Sequence, residues 1–143
     1  MKLNLGCGYD AQEGYVNVDI QRRPGVDVVW DLDVMPWPWG NGEVTEIRAI
    51  DIMEHLDDMI AVMDECWRVL WVGGQMTMQV PIAGGTNHLD DPTHKRGFTM
   101  SSLNYWCPGT QGPNPLLYGI GTWKLLHIEK RWANLIFILE RLP

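Results

Sequence analysis

Leu3-Asn4-Leu5-Gly6-Cys7-Gly8 ends a short alternating strand pattern in a glycine turn near the amino terminus of this 143-residue chain. Glycine lacks a Cβ and adopts left-handed backbone conformations, so such a turn lets the main chain approach a ligand closely. With Ala11, the turn also satisfies the G-x-G-x-x-A dinucleotide fingerprint. Taken alone, the stretch predicts either an ordinary tight turn or a cofactor-binding turn.

The spacing after this turn indicates which kind of cofactor it could bind. The fingerprint expects a helix and then an acidic residue about 20 positions further on. Here the next predicted strand, Tyr15–Ile20, contains the acid Asp19, and only residues 9–14 connect it to the turn. A crossover that includes a helix takes roughly 10–12 residues, so the first helix is predicted to be absent or reduced to a turn. A pyrophosphate binds the amino terminus of that helix, whereas S-adenosyl-L-methionine has no phosphate, so the spacing favours the latter over NAD.

Strands and turns continue through the rest of the chain. Runs rich in β-branched residues predict further strands at Val26–Leu32, Glu46–Ile50 and Gln75–Val80 and a hairpin of Trp123–Lys130 with Leu135–Leu142. A helix is predicted from Asp57 onward, ending before Gly73-Gly74. From Pro81 to about Gly121 the chain is rich in glycine and proline, with a short helix at Thr99–Trp106, and such long loops are often functional. The pattern predicts an α/β sheet, mostly parallel, with a C-terminal antiparallel hairpin.

Composition limits the function classes. The length fits one domain over residues 1–143. A formal net charge of −7 opposes binding to long nucleic acids, so a small-molecule partner is expected. No apolar run approaches the roughly 18 residues of a membrane span, and no signal-peptide pattern is present, so a cytoplasmic protein without membrane attachment is expected. Three cysteines without C-x-x-C spacing predict neither a disulfide scaffold nor a zinc ribbon. The oligomeric state is not indicated.

Several motifs in order resemble the class I S-adenosylmethionine-dependent methyltransferase family. They are Leu3-Asn4-Leu5-Gly6-Cys7-Gly8, Asn17-Val18-Asp19-Ile20, Asp31-Leu32 with Met35-Pro36-Trp37, Met53-Glu54-His55-Leu56, and Arg68-Val69-Leu70-Trp71-Val72-Gly73-Gly74. A narrower resemblance, to small predicted methyltransferases, includes Asp91-Pro92-Thr93-His94-Lys95-Arg96-Gly97-Phe98. The resemblance implies a Rossmann-like sheet of seven strands whose last two form a hairpin.

The resemblance also implies a set of cofactor-binding residues. Gly6, Cys7 and Gly8 are expected beside the methionine part, Asp19 with Ile20 at the ribose, and Asp31 with Leu32 at the adenine. Asn4 stands at a position that is usually acidic in the family. Asp51 directly follows the fourth predicted strand, at the sheet edge where open α/β folds place ligands, and is expected to line the same site.

The candidate catalytic group is His94, with Asp91 as its orienting partner, because both lie in the long loop expected over the acceptor site. A structural role for this histidine stays open. His55 is expected to be a buried, hydrogen-bonding histidine that fixes the strand-to-helix turn, with a catalytic role as the alternative. The spacing of His88, Asp90, Asp91 and His94 matches no zinc or calcium pattern, so no metal site is predicted. Two alternative functions stay open, a non-catalytic relic that binds the cofactor or a partner, and an NAD-dependent oxidoreductase.

Overall fold

A computed structural model describes residues 1–109 and 121–143. The strands are β1 Lys2–Leu5, β2 Val16–Asp19, β3 Val28–Val29, β4 Val44–Ile50, β5 Leu70–Pro81, β6 Trp123–Arg131 and β7 Asn134–Arg141. The helices are α1 Met59–Val69, α2 Thr86–Leu89 and a 3-10 turn at Ser102–Tyr105. Part of the predicted loop-rich insertion, residues 110–120, lies outside the described residues.

The seven strands form one sheet in the order β3-β2-β1-β4-β5-β7-β6. β1 to β5 run parallel, and β7 runs antiparallel to both of its neighbours. The predicted fold class and C-terminal hairpin are therefore confirmed. The strand order reverses between β1 and β4, and open α/β sheets bind ligands beside the carboxyl ends of their strands at such a point.

Alternation along the strands separates a buried face from a polar face. Leu3, Ile47 and Phe137 are fully buried and belong to one hydrophobic core that also contains α1 side chains. Burying a side chain of this size contributes about 1.5–3 kcal/mol. The opposite face carries polar groups that pair with one another, including a Lys2–Glu46 ion pair at 2.7 Å. Side-chain alternation thus gives the sheet one apolar face and one largely polar face.

The connection between β1 and β2 contains no helix anywhere in residues 6–15, all of which the structure describes. This confirms the prediction that the first helix is absent. Helix α1 begins where the sequence indicated, because the Asp58 carboxylate accepts hydrogen bonds from the N–H groups of Ile60 and Ala61.

Two element boundaries differ from the prediction. β3 covers only Val28–Val29 instead of Val26–Leu32, since the chain turns at Asp31, whose carboxylate accepts the N–H of Asp33. α1 ends at Val69, so Gly73-Gly74 lies inside β5 and not at the helix end. The pairing of β4 with β5 shifts register there, and Gly73 has a φ of +84°, as in a bulge. Within the described residues, every helix is too short or too polar to cross a membrane.

Candidate functional site

A first cleft of about 280 Å³ opens at the carboxyl ends of β1, β2 and β4. Its lining residues are Gly6, Asp19, Ile20, Trp30, Asp31, Leu32, Asp33, Ile52, His55, Leu56 and Lys95. Five of the residues predicted from sequence to bind a cofactor are in this set, namely Gly6, Asp19, Ile20, Asp31 and Leu32. The structure therefore brings together the turn after β1, the end of β2 and the segment after β3.

The glycine turn and Asp19 form one hydrogen-bonded unit. The Asp19 carboxylate, only 8% exposed, accepts the N–H of Gly8 and the N–H of Gln21, each at 2.9 Å. Each oxygen keeps a second lone pair for a ligand hydroxyl. Gly6 has a φ of +60°, and a Cβ there would lie 2.6 Å from Ile52 Cδ1. The short connection from Gly8 to Asp19 thus places a fixed carboxylate beside a turn that only glycine can make.

Four predicted cofactor residues are not part of the first cleft's lining, namely Asn4, Cys7, Gly8 and Asp51, although the Gly8 N–H still holds the Asp19 carboxylate. Asn4 is buried, and its amide donates to the Asp10 carbonyl and to the Asn17 side chain, so it supports the turn from behind. Cys7 is buried beneath the turn and its N–H bonds to the carbonyl of Val18. Neither side chain is part of the first cleft's lining.

Asp51 lines a neighbouring cleft instead of the first. Its backbone has a φ of +52°, a left-handed conformation that turns the chain sharply after β4. Its carboxylate accepts hydrogen bonds from Gln79 Nε2 at 3.0 and 3.2 Å. Ile52 takes the position in the first cleft that the sequence suggested for Asp51.

This second cleft, of about 400 Å³, lies at the ends of β4 and β5 and the start of β7. It is lined by Asp51, Glu54, His55, Pro81, Asn87, Asp90, Asp91, His94 and Asn134. His55 lines both clefts, so the two share a wall. The catalytic candidates His94 and Asp91 therefore lie together in a cleft beside the first one.

His94 has one ring nitrogen anchored and one facing two acids. Its Nδ1 lies 3.3 Å from the carbonyl of His88, and because a carbonyl only accepts, this bond requires a proton on Nδ1. In the neutral ring Nε2 then keeps its lone pair. Nε2 lies 3.7 Å from Asp91 Oδ2 and 3.8 Å from Glu54 Oε1. The ring of His94 packs edge-on against that of His55, with centroids 4.7 Å apart.

Asp91 is positioned mainly by Thr93. The Thr93 hydroxyl donates to Asp91 Oδ1 at 2.6 Å, and its N–H donates to the same oxygen at 2.8 Å. These bonds hold the pKa of Asp91 below its usual range. The Thr93 hydroxyl oxygen also lies 3.0 Å from His55 Nδ1, so Asp91 reaches His55 through this residue. The carbonyl of His88, and not Asp91, is the direct hydrogen-bond partner that orients His94.

Several solved structures to which this chain is similar in fold are methyltransferases. A S-adenosylmethionine-dependent methyltransferase of Archaeoglobus fulgidus is 15% identical, with a TM-score of 0.70 over 98% of this chain and 85% of that one. The 1,6-didemethyltoxoflavin-N1-methyltransferase of Burkholderia thailandensis, solved with 1,6-didemethyltoxoflavin and S-adenosylhomocysteine, is 13% identical, with a TM-score of 0.67 over 99% and 71%. The sequence matches no protein-family model and no curated protein.

A third structure agrees with these two. A putative methyltransferase of Haloferax volcanii, in complex with a methyltransferase activator, is 10% identical, with a TM-score of 0.68 over 99% of this chain and 82% of that one. The chain has the Rossmann-like fold of class I methyltransferases. Within this methyltransferase fold, the first cleft lies at the ends of the parallel strands and the second lies beside it, under the segment that follows β5.

Hydrogen bonds tie that segment to the turn after β4 in this methyltransferase fold. The Arg96 guanidinium donates to the carbonyls of Met53, Leu56 and Asp57. The N–H of Lys95 donates to the carbonyl of Glu54 at 2.8 Å. The motif Met53–Leu56 and the motif Asp91–Phe98, which begin 38 residues apart in the sequence, are therefore parts of one site.

Glu54 is a site residue that the sequence did not single out. Its side chain is 1% exposed and lines the second cleft, and Oε2 has no hydrogen-bond partner among the described residues. Burial raises the pKa of Glu54 to about 7, and the charges of Asp51 and Asp91 act in the same direction. The sequence offered one signal for Glu54, its position beside His55 in the motif Met53–Leu56, and that motif predicted only a turn.

We expect this buried carboxyl to make folding stability pH-dependent. A carboxyl whose pKa is higher in the folded protein stabilises the fold fully below its unfolded pKa near 4.5, and that stability is lost as the pH rises through about 7. The difference corresponds to roughly 3 kcal/mol. Urea denaturation should therefore find Glu54→Gln more stable than wild type at about pH 8, with the difference greatly reduced at about pH 5. An equal difference at both pH values would contradict the shifted pKa.

Glu54, His55 and His94 are also donor types that metals use, and one donor atom of each lies within 4.8 Å of the other two. Two ligands of a tetrahedral zinc ion, at about 2.1 Å from it, lie roughly 3.4 Å apart. The 3.8 Å between Glu54 Oε1 and His94 Nε2 would have to shorten before both could bind one ion. The prediction of no metal site stays a prediction.

Proposed function

We propose that this protein is a S-adenosylmethionine-dependent methyltransferase that binds the cofactor in the first cleft and a small-molecule acceptor in the second. The observation that carries the proposal is the unit formed by Gly6, Gly8 and Asp19, with the Gly8 N–H bonded to the Asp19 carboxylate. The structural neighbours, which are methyltransferases, support it.

The residues of the first cleft fit this cofactor. Asp19 has lone pairs left for the two ribose hydroxyls, and Gly6 allows the methionine part to pass close to the main chain. Ile20 and Leu32 offer apolar surface for a flat base, beside the Asp31 carboxylate. Bound there, S-adenosylmethionine supplies an activated methyl group on a positively charged sulfur. The carboxylates of Asp19, Asp31 and Asp33 outnumber the one basic side chain of the lining, Lys95, which is paired with Asp57, and the resulting negative charge suits the sulfonium.

His94 is the residue we assign to proton removal from the acceptor. Its Nε2 faces the second cleft with a lone pair while Nδ1 is held by the carbonyl of His88. Asp91, at 3.7 Å from Nε2, stabilises the ring once it is protonated. Removal of a proton by a positioned base raises the rate by about 10²–10⁴-fold in enzymes generally.

The first cleft offers little to NAD. A pyrophosphate needs backbone N–H groups at a helix amino terminus, and residues 6–15 contain no helix. The carboxylates of Asp19, Asp31 and Asp33 would repel its two charges. The fit therefore favours the sulfonium cofactor over the dinucleotide.

Calorimetric titration of the whole chain with S-adenosylhomocysteine and, separately, with NAD tests this proposal. We expect S-adenosylhomocysteine to bind with a stoichiometry of one and NAD to give no binding heat. NAD binding alone would contradict the proposal. Binding of neither would favour a relic without a cofactor, and binding of S-adenosylhomocysteine without methyl transfer to any acceptor would favour a non-catalytic binding protein.

A further inference from the structure

The second cleft is strongly acidic. Four acidic side chains line it, and no Lys or Arg does so among the described residues; the four are Asp51, Asp90, Asp91 and Glu54, the last of which is only partly ionised near pH 7. The partner of Asp51 is the neutral amide of Gln79, and that of Asp91 is the neutral Thr93. The negative charge at this place is therefore not balanced by a cationic side chain of the cleft, which disfavours an anionic acceptor.

Glu54 is the most deeply placed of these acids. A buried carboxylate oxygen is usually hydrogen-bonded, because leaving it without a donor costs about 1–3 kcal/mol in proteins. Here Oε2 has no donor within the described chain, although Glu54 lines the cleft at 1% exposure. Oε2 is itself enclosed, so a molecule in the cleft can supply the missing donor once the Glu54 side chain turns toward the cleft.

We propose that the second cleft binds a small primary or secondary amine as its ammonium ion, with the nitrogen between Glu54 and His94. This inference rests on the proposed function and names its acceptor class. An ammonium group has several N–H donors and a positive charge, so it supplies the bond that Glu54 Oε2 lacks and balances Asp51 and Asp91. A hydroxyl group offers a single donor and no charge.

The same geometry prepares the amine nitrogen for attack. An ammonium ion has no lone pair, so one proton must leave before the nitrogen can accept a methyl group. His94 Nε2 accepts this proton, the N–H bonding pair stays on nitrogen as the lone pair, and the ring later releases the proton to solvent. The lone pair then forms the N–C bond as the C–S bond of the methyl group breaks, the C–S electron pair stays on sulfur, and the positive charge passes to the amine nitrogen. Glu54 at 3.8 Å and Asp91 at 3.7 Å stabilise the protonated ring, and His55 packs against its edge.

The size of the second cleft also favours an organic cation over a bare metal ion. About 400 Å³ exceeds what one ion and its water ligands need, and the neutral amides of Asn87 and Asn134 also line the cleft. The two amides share a hydrogen bond of 3.1 Å and retain further donors and acceptors for polar groups of the acceptor.

The test is calorimetric titration of the chain, with and without saturating S-adenosylhomocysteine, against small primary amines with aliphatic, aromatic and amino-acid skeletons. Each amine is paired with the alcohol of the same skeleton. We expect at least one amine to bind roughly tenfold or more tightly than its alcohol. Glu54→Gln should weaken the binding of that amine by a similar factor. Glu54→Gln should leave S-adenosylhomocysteine binding unchanged. The matched control is Glu13→Gln, which removes the same charge from an exposed residue that lines neither cleft.

The outcomes separate this inference from the proposed function. S-adenosylhomocysteine binding without amine binding overturns the inference and leaves the proposed function standing. Alcohols binding as tightly as amines also overturn it, as does zinc chloride binding through Glu54 when no amine binds. Amine binding that depends on Glu54 while S-adenosylhomocysteine fails to bind supports the inference about the cleft and overturns the proposed function.

Discussion

Gly6→Ala is expected to abolish detectable S-adenosylhomocysteine binding and to lower the stability of the fold. The new Cβ would lie 2.6 and 2.7 Å from side-chain atoms of Ile52, which itself lines the first cleft. Relieving the clash pushes Ile52 into the space for the cofactor. The left-handed φ of +60° adds about 1–2 kcal/mol of strain for any residue with a Cβ. Urea denaturation and calorimetry measure the two effects separately.

Gly14→Ala is the matched control for this variant. Gly14 has a φ of +80°, but nothing lies within 4 Å of the position that a Cβ would occupy. We expect Gly14→Ala to lose about 1–2 kcal/mol of stability from backbone strain while binding S-adenosylhomocysteine normally. If the two variants bound it equally well, the close approach of Gly6 to the cofactor would be refuted.

Asp19→Ala is expected to weaken S-adenosylhomocysteine binding by roughly 100-fold, since each hydrogen bond to a charged group contributes about 1.5–3 kcal/mol. The change also removes the bonds to Gly8 and Gln21, so Asp19→Asn serves as the variant of the same shape. Calorimetry measures the affinity of each variant.

His94→Ala tests the division of roles between the clefts. His94 lines only the second cleft, so its removal should leave S-adenosylhomocysteine affinity near the wild-type value while methyl transfer is lost. Glu13→Ala, an exposed substitution, controls for the loss of one negative charge in Asp19→Ala. Equal losses of affinity in Asp19→Ala and His94→Ala would contradict the assignment of separate ligands to the two clefts.

Sequence reasoning succeeded where local rules decide the structure. The six residues between Gly8 and Tyr15 are too few for a helix, and the structure has none there. Asp58 and the apolar spacing after it predicted α1, and the alternation after residue 122 predicted the hairpin. These features depend on neighbours in the chain, so they can be inferred without tertiary contacts.

The site residues that sequence reasoning misplaced depend on single backbone conformations and distant contacts. After β4, the left-handed φ of Asp51 sends its carboxylate to the second cleft and leaves Ile52 to line the first. The Asn4 amide donates hydrogen bonds to the Asp10 carbonyl and to the Asn17 side chain, and no spacing rule predicts these contacts. Which of the adjacent residues Glu54 and His55 is buried likewise depends on packing against a segment that lies far away in the sequence.

Glu54 and His55 illustrate this last point. They are neighbours in one motif, yet Glu54 is enclosed beneath Thr93 to Arg96 while His55 stands between the two clefts. The fold of the segment after β5 decides which of these two residues lines which cleft. A motif match therefore locates the site but not the task of each residue in it.

If the two clefts bind a cofactor and an acceptor, as proposed, the wall that His55 forms between them bears on whether the two affinities are coupled. Its ring touches the space of both ligands, and its Nδ1 is tied through Thr93 to Asp91. If cofactor binding in the first cleft moves this ring, the affinity of the second cleft for the acceptor changes by some factor. Thermodynamic reciprocity then requires the acceptor to change the cofactor's affinity by the same factor. A movement of this one imidazole would then make the two binding equilibria depend on each other.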